Sequence, residues 1–138
     1  MLLDLPTAEQ ALIDRVAALA RERFAPRAAE HDRAASFPAD DFADLFAAGL
    51  NAPTVPREHG GLGLGPLRGD AYALWMMTKQ LAKADLSLAR CWEGHANSLL
   101  LLDALASEEQ KARWFPGVVE RGEGGATRRR SPAAGCAT

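Results

Sequence analysis

Apolar residues recur at three- and four-residue intervals along most of this 138-residue chain, the period of helices that bury one side. Leu12, Val16, Leu19 and Phe24, with Ile13 and Ala20 beside them, make the first stripe. Thr7-Ala8-Glu9-Gln10 just ahead has the form of a capping box, so a helix is predicted to begin near Thr7. Pro26 lacks an N–H donor and is expected to interrupt or kink that helix, with Arg27 to Arg33 adding a further turn or two. A second helix is predicted from Pro38, burying Phe42, Leu45 and Phe46 and stopping at Gly49. A third, from about Pro66, would bury Ala71, Leu74, Trp75, Thr78, Leu81 and Ala82. Another runs from about Asp85 to Ala104 with Leu88, Ala89, Trp92, Ala96, Leu99 and Leu100 on its apolar side. Ser107-Glu108-Glu109-Gln110 repeats the capping-box form ahead of Trp114, Phe115 and Val118, and Gly122 ends that helix. No stretch alternates apolar and polar residues for long, so the predicted fold class is all-α.

Between the second and third helices, residues 50–65 carry Pro53, Pro56 and glycines at 60, 61, 63 and 65. Glycines this dense mark backbone that bends tightly or passes close to another surface. They do not make a dinucleotide fingerprint, because Pro66 stands where the last glycine of Gly-x-Gly-x-x-Gly belongs and no strand-like run precedes them. Composition narrows the picture further. Alanine and leucine dominate, which favours helix. The net charge is −2 overall but −5 up to Gly124, so the body has no electrostatic footprint for nucleic acid. Cys91 and Cys136 lack metal-ligand spacing, as do His31, His59 and His95. His31 reads as a surface histidine or one holding the turn after Pro26. Trp75, Trp92 and Trp114 fall in phase with apolar stripes and read as core. The apolar run at Leu99–Leu102 is broken by Asp103, too short to cross a membrane, and the N-terminus lacks a signal-peptide pattern. The expectation is a cytoplasmic protein.

One helix carries polar residues in register. Arg90, Glu93 and Asn97 recur at helical spacing away from the apolar side, with Gly94 beside Glu93. Gly94 costs about 1 kcal/mol against alanine in a helix interior, which fits close approach by a ligand or another backbone. A solvated polar face is the competing reading.

In chain order, Ala25-Pro26, His31-Asp32, Phe37-Pro38, Gly49-Leu50 and Val55-Pro56-Arg57-Glu58-His59-Gly60-Gly61-Leu62-Gly63 are followed by Ala84-Asp85-Leu86-Ser87, Ser107-Glu108-Glu109-Gln110-Lys111, Pro116 and Gly122-Glu123. This ordered set resembles the N-terminal helical domain of the acyl-CoA dehydrogenase family of flavoproteins. The resemblance implies an up-and-down helical bundle over residues 5–123. It implies a larger enzyme with a middle β-domain and a C-terminal bundle, assembled as a homotetramer or homodimer. Such enzymes bind FAD and remove a proton and a hydride from adjacent carbons of an acyl-CoA thioester. Their base is a carboxylate in the C-terminal part and their FAD is gripped mainly outside the first domain, so this chain alone is expected to be inactive and to bind little FAD. The helix matching Asp85–Ala104 lines the acyl-chain crevice in the family, so the resemblance makes Ala89, Arg90, Glu93 and Asn97 substrate-facing residues, with Glu93 at the blind end. Residues 124–138, with Arg128-Arg129-Arg130, depart from the family pattern. They are expected to be a disordered tail and the mark of a truncated or frame-shifted product. Two alternatives stay open: a flavin-dependent monooxygenase of the same fold, and a non-catalytic helical interaction module.

Overall fold

The capping and periodicity signals above become a set of helices in the computed structural model, which describes residues 7–68 and 71–124. The expected tail falls outside the described residues apart from Gly124. Helix α1 spans Thr7–Leu19, passes through a π-helical turn at Ala20–Phe24, and continues as α2, Ala25–Ala34. Helix α3 is Ala39–Ala47, α4 Ala71–Ala84, α5 Leu86–Leu105 and α6 Glu108–Arg121. No strand occurs among the described residues, so the predicted all-α class holds. Helix α4 packs between α1 and α5 in an up-and-down arrangement.

Pro26 does not end the first helix. It sits in the first turn of α2, and the N–H of Ala25 donates to the carbonyl of Ala20, five residues back. Proline has no N–H to lose at that point, so the ladder widens by one residue and resumes. Ala20 and Phe24 stay buried through the turn.

The main core joins Ile13, Val16 and Phe24 to Leu45, Leu74, Met77, Leu81, Leu88 and Trp92. Phe24, Met77 and Leu81 are wholly buried, and burial of such a side chain contributes about 1.5–3 kcal/mol. Two expected core tryptophans lie elsewhere: Trp75 is 66% exposed and Trp114 45%. The buried strip of α4 is Ala73, Leu74, Met77 and Leu81, which turns Trp75 outward. Helix α4 also starts later than expected, because residues 66–68 form a turn.

The glycine-rich connection is a buried strut. Leu50 to Pro56 are all buried, and the chain folds back so that Leu62, Gly63 and Leu64 donate to the carbonyls of Ala52, Val55 and Pro53 at 2.9–3.0 Å. Gly61 touches Val55 so closely that a Cβ there would stand 2.2 Å from the Val55 carbonyl oxygen. Val55 and Ala52 join Leu99 and Phe115 in a second small core beneath α5 and α6. His59 is fixed by the same region, its ring 5.0 Å from that of Phe115.

Candidate functional site

Helix α5 is positioned from behind and left open in front. Asp85 caps it, the carboxylate accepting from the N–H of Leu88 at 3.1 Å. On the inner side, Thr54 Oγ1 donates to the carbonyl of Ala96 at 2.7 Å, and His95 Nε2 lies 2.7 Å from the carbonyl of Asn51. The glycine-rich strut therefore holds α5 by polar contacts as well as by packing. Burial pushes the His95 imidazole below its ordinary range, so it is neutral at pH 7 and donates from Nε2 to that carbonyl. The ring of Phe42 meets it edge-on at 6.0 Å.

The outward face of α5 reads Leu86, Arg90, Glu93 and Gly94, Asn97, Leu101 and Leu105. Leu86, Leu101 and Leu105 are 74%, 59% and 80% exposed, an unusual load for one helix face in water. Between them, Arg90 Nη1 donates to Glu93 Oε2 at 2.7 Å, and Gly94 leaves a bare stretch where a Cβ would meet nothing within 4 Å. Three of the four residues singled out by the sequence thus share this face. Ala89 does not: it is 4% exposed and packs in the main core beside Leu88 and Trp92, because it lies next to Leu88 on the inner stripe.

A trough runs beside this face between α5 and α6. Its deeper part, about 580 Å³, is lined by His95, Ser98, Leu102, Arg113 and Trp114 among others. Its shallower continuation, about 420 Å³, takes in Leu101, Leu105 and Gln110. Sequence reasoning assigned Trp114 to the core and gave His95 no role. Both follow from the trough's shape, which depends on how α6 is laid against α5. Arg68, Asp103 and Lys111 tie this end together: Arg68 Nε and Nη2 donate to Asp103 at 2.5 and 3.0 Å, and Lys111 Nζ lies 3.5 Å away. The Arg68 guanidinium, aided by Lys111, holds the Asp103 carboxyl below its usual range.

Both parts of the trough are open to solvent along one helix pair. A flavin needs a cleft that encloses most of its surface, and neither part of the trough provides one. The trough by itself does not fit that cofactor. No described helix is long and apolar enough to cross a membrane.

A family model described as "Acyl-CoA dehydrogenase, N-terminal domain" matches residues 6–122. A Mycobacterium leprae (strain TN) protein described as a probable acyl-CoA dehydrogenase, fadE25, is 32% identical over 121 residues, covering 88% of this chain and 30% of that one. Dibenzothiophene monooxygenase of Rhodococcus erythropolis is 29% identical over 99 residues, covering 72% of this chain and 22% of the relative. Among solved structures, TdsC from Paenibacillus sp. A11-2, in complex with FMN and indole, superposes with a TM-score of 0.69 at 29% identity, covering 80% of this chain and 27% of that one. The chain thus spans less than a third of the length of these relatives.

Proposed function

Because the chain belongs to the acyl-CoA dehydrogenase family, matched over that family's N-terminal domain, we propose that it supplies one wall of the acyl-chain crevice in an FAD-dependent enzyme that desaturates acyl-CoA thioesters. The observation that carries this reading is the outward face of α5. Helix α5 is anchored firmly on its inner side, yet presents leucines and a bare glycine outward. Such a face is built for contact with something other than water. Arg90, Glu93 and Asn97 are the wall residues in this reading, and Ala89 supports them from the core. Glu93, paired to Arg90, favours a short or polar acyl group, because a long alkyl chain would bury polar atoms at a cost of about 1–3 kcal/mol. FAD is held by the remainder of the enzyme, which works as a cytoplasmic homo-oligomer. When bound, the flavin supplies the hydride acceptor; this chain's part is to shape and close the substrate's path.

A chimera of residues 1–124 with the rest of the mycobacterial relative tests the proposal. It should hold flavin, be reduced by acyl-CoA, and shift its preference toward longer chains on Glu93→Ala. An unchanged chain-length profile would remove Glu93 from the wall. The likeness to dibenzothiophene monooxygenase and TdsC favours a second reading, an oxygen-using flavoenzyme. A flavin-loaded chimera that no acyl-CoA reduces, but that consumes oxygen with an aromatic or sulfur compound, would select it. A third reading, a non-catalytic helical module, is selected if the chain captures an intact relative while the chimera never binds flavin.

A further inference from the structure

Away from the α5 face, three side chains from three elements converge: His31 on α2, Asp41 on α3 and Asp85 at the head of α5. His31 Nδ1 lies 3.5 Å from Asp41 Oδ2 and 3.6 Å from Asp85 Oδ2. All three atoms fall within 4.8 Å of one another. The Asp41 side chain is wholly buried, that of Asp85 6% exposed and that of His31 14%. Each carboxylate uses its other oxygen elsewhere: Asp41 Oδ1 accepts from Arg27 at 2.7 Å, and Asp85 Oδ1 caps α5. The three converging atoms make no hydrogen bond. Buried polar atoms are rarely left this way, and each such group calls for an explanation.

A proton on Nδ1 is a poor explanation. One N–H points at one carboxylate and leaves the other bare. The separations also exceed the roughly 2.7–2.9 Å of a charge-assisted N–H···O bond. They suit ligand atoms that share a metal. A point equidistant from all three lies no more than about 2.4 Å from each, close to the roughly 2.0–2.2 Å of zinc bonds to imidazole and carboxylate. Charge points the same way. Arg27 bridges Asp41 and Asp44, and Arg23 also reaches Asp44 at 3.1 Å. Three carboxylates therefore face two guanidinium groups, and one negative charge is left over.

We propose that His31, Asp41 and Asp85 form a site for a divalent first-row metal ion, of the zinc class. One imidazole and two carboxylates suit such an ion, and the exposed edge of His31 leaves access for water as a fourth ligand. The ion latches α2 and α3 to the residue that caps α5, fixing the angle at which α5 enters the bundle. The site is separate from the α5 face and does not depend on the substrate reading.

The test uses the whole purified chain, stripped with EDTA and dialysed to equilibrium against Zn²⁺, then against Co²⁺ for its visible absorption. The expected result is one equivalent of zinc, a raised melting temperature and a low-symmetry cobalt spectrum. His31→Gln and Asp41→Asn should each weaken zinc binding by about tenfold or more, whereas His59→Gln should leave it unchanged. Circular dichroism confirms that each variant is folded. A folded chain that takes up no zinc, or equal uptake by the His31 and Asp41 variants, would overturn the proposal. So would an imidazole NMR signal showing His31 protonated at Nδ1 with zinc present.

Discussion

Replacing Gly94 with alanine separates what α5 does for its own stability from what it does for a ligand. Gly94 lies well inside a 20-residue helix, it is exposed, and a methyl group placed there meets nothing within 4 Å. The Ser98 hydroxyl, which donates to the Gly94 carbonyl at 2.8 Å, keeps its acceptor. Only the backbone term remains, and alanine is favoured over glycine in a helix interior by about 0.8–1 kcal/mol. For a folded region of this size the gain corresponds to a rise of roughly 3–4 °C in melting temperature. Urea and thermal denaturation of the chain, followed by circular dichroism, would measure it. A loss of stability, or no change, would refute the view that Gly94 faces open space. In the chimera the same methyl stands on the proposed crevice wall, so KM for acyl-CoA should rise while stability improves. Opposite signs in the two assays are the signature of a glycine kept for approach rather than for folding.

Three further outcomes are expected. Gly61→Ala forces a Cβ to within 2.2 Å of the Val55 carbonyl oxygen, a collision with backbone that no rotamer relieves; urea denaturation should show a loss of about 3 kcal/mol, and a loss under 1 kcal/mol would show that the strut yields. The Asp103 carboxyl titrates below its ordinary value in the folded chain, so the stability it contributes is present above the unfolded pKa and lost as pH falls through the folded one; Asp103→Asn should flatten the decline in stability below about pH 4, and parallel curves for both proteins would count against the ion pair. Finally, Leu101→Gln with Leu105→Gln should reduce self-association in sedimentation velocity, because both side chains are mostly exposed; an unchanged distribution would place any association elsewhere.

Local signals carried most of the fold. Ser107 and Gln110 exchange the two hydrogen bonds of a capping box, and Asp85 begins α5 where its pattern starts, because caps and stripes are written within a few adjacent residues. The inner side of α5 was equally legible, since Leu88, Trp92, Ala96 and Leu99 repeat without a break. Trp75 and Trp114 were misread for a physical reason. Periodicity identifies an apolar side but not what lies against it, and an aromatic at the edge of a stripe has the same spacing whether it meets a core or a trough. The partners of His31 lie 10 and 54 positions further along the chain, so nothing local marked it as more than a surface histidine. Arg68 is likewise joined to Asp103 only by the fold. Arg90, Glu93 and Asn97 were visible as a register, while Ala89 fell on the inner side because its neighbour Leu88 already defined that stripe.

The widened turn at Ala20–Phe24 also sets an evolutionary constraint. It holds one residue more than a regular α-helical path would need. Forcing the same residues into an ordinary spiral would swing everything downstream through about 100°. Arg27 and His31 would then point away from Asp41, Asp44 and Asp85. A homologue shorter by one in this place can therefore run as an ordinary spiral and keep the whole set of acidic and basic partners, whereas one of equal length must keep the widened turn to keep them.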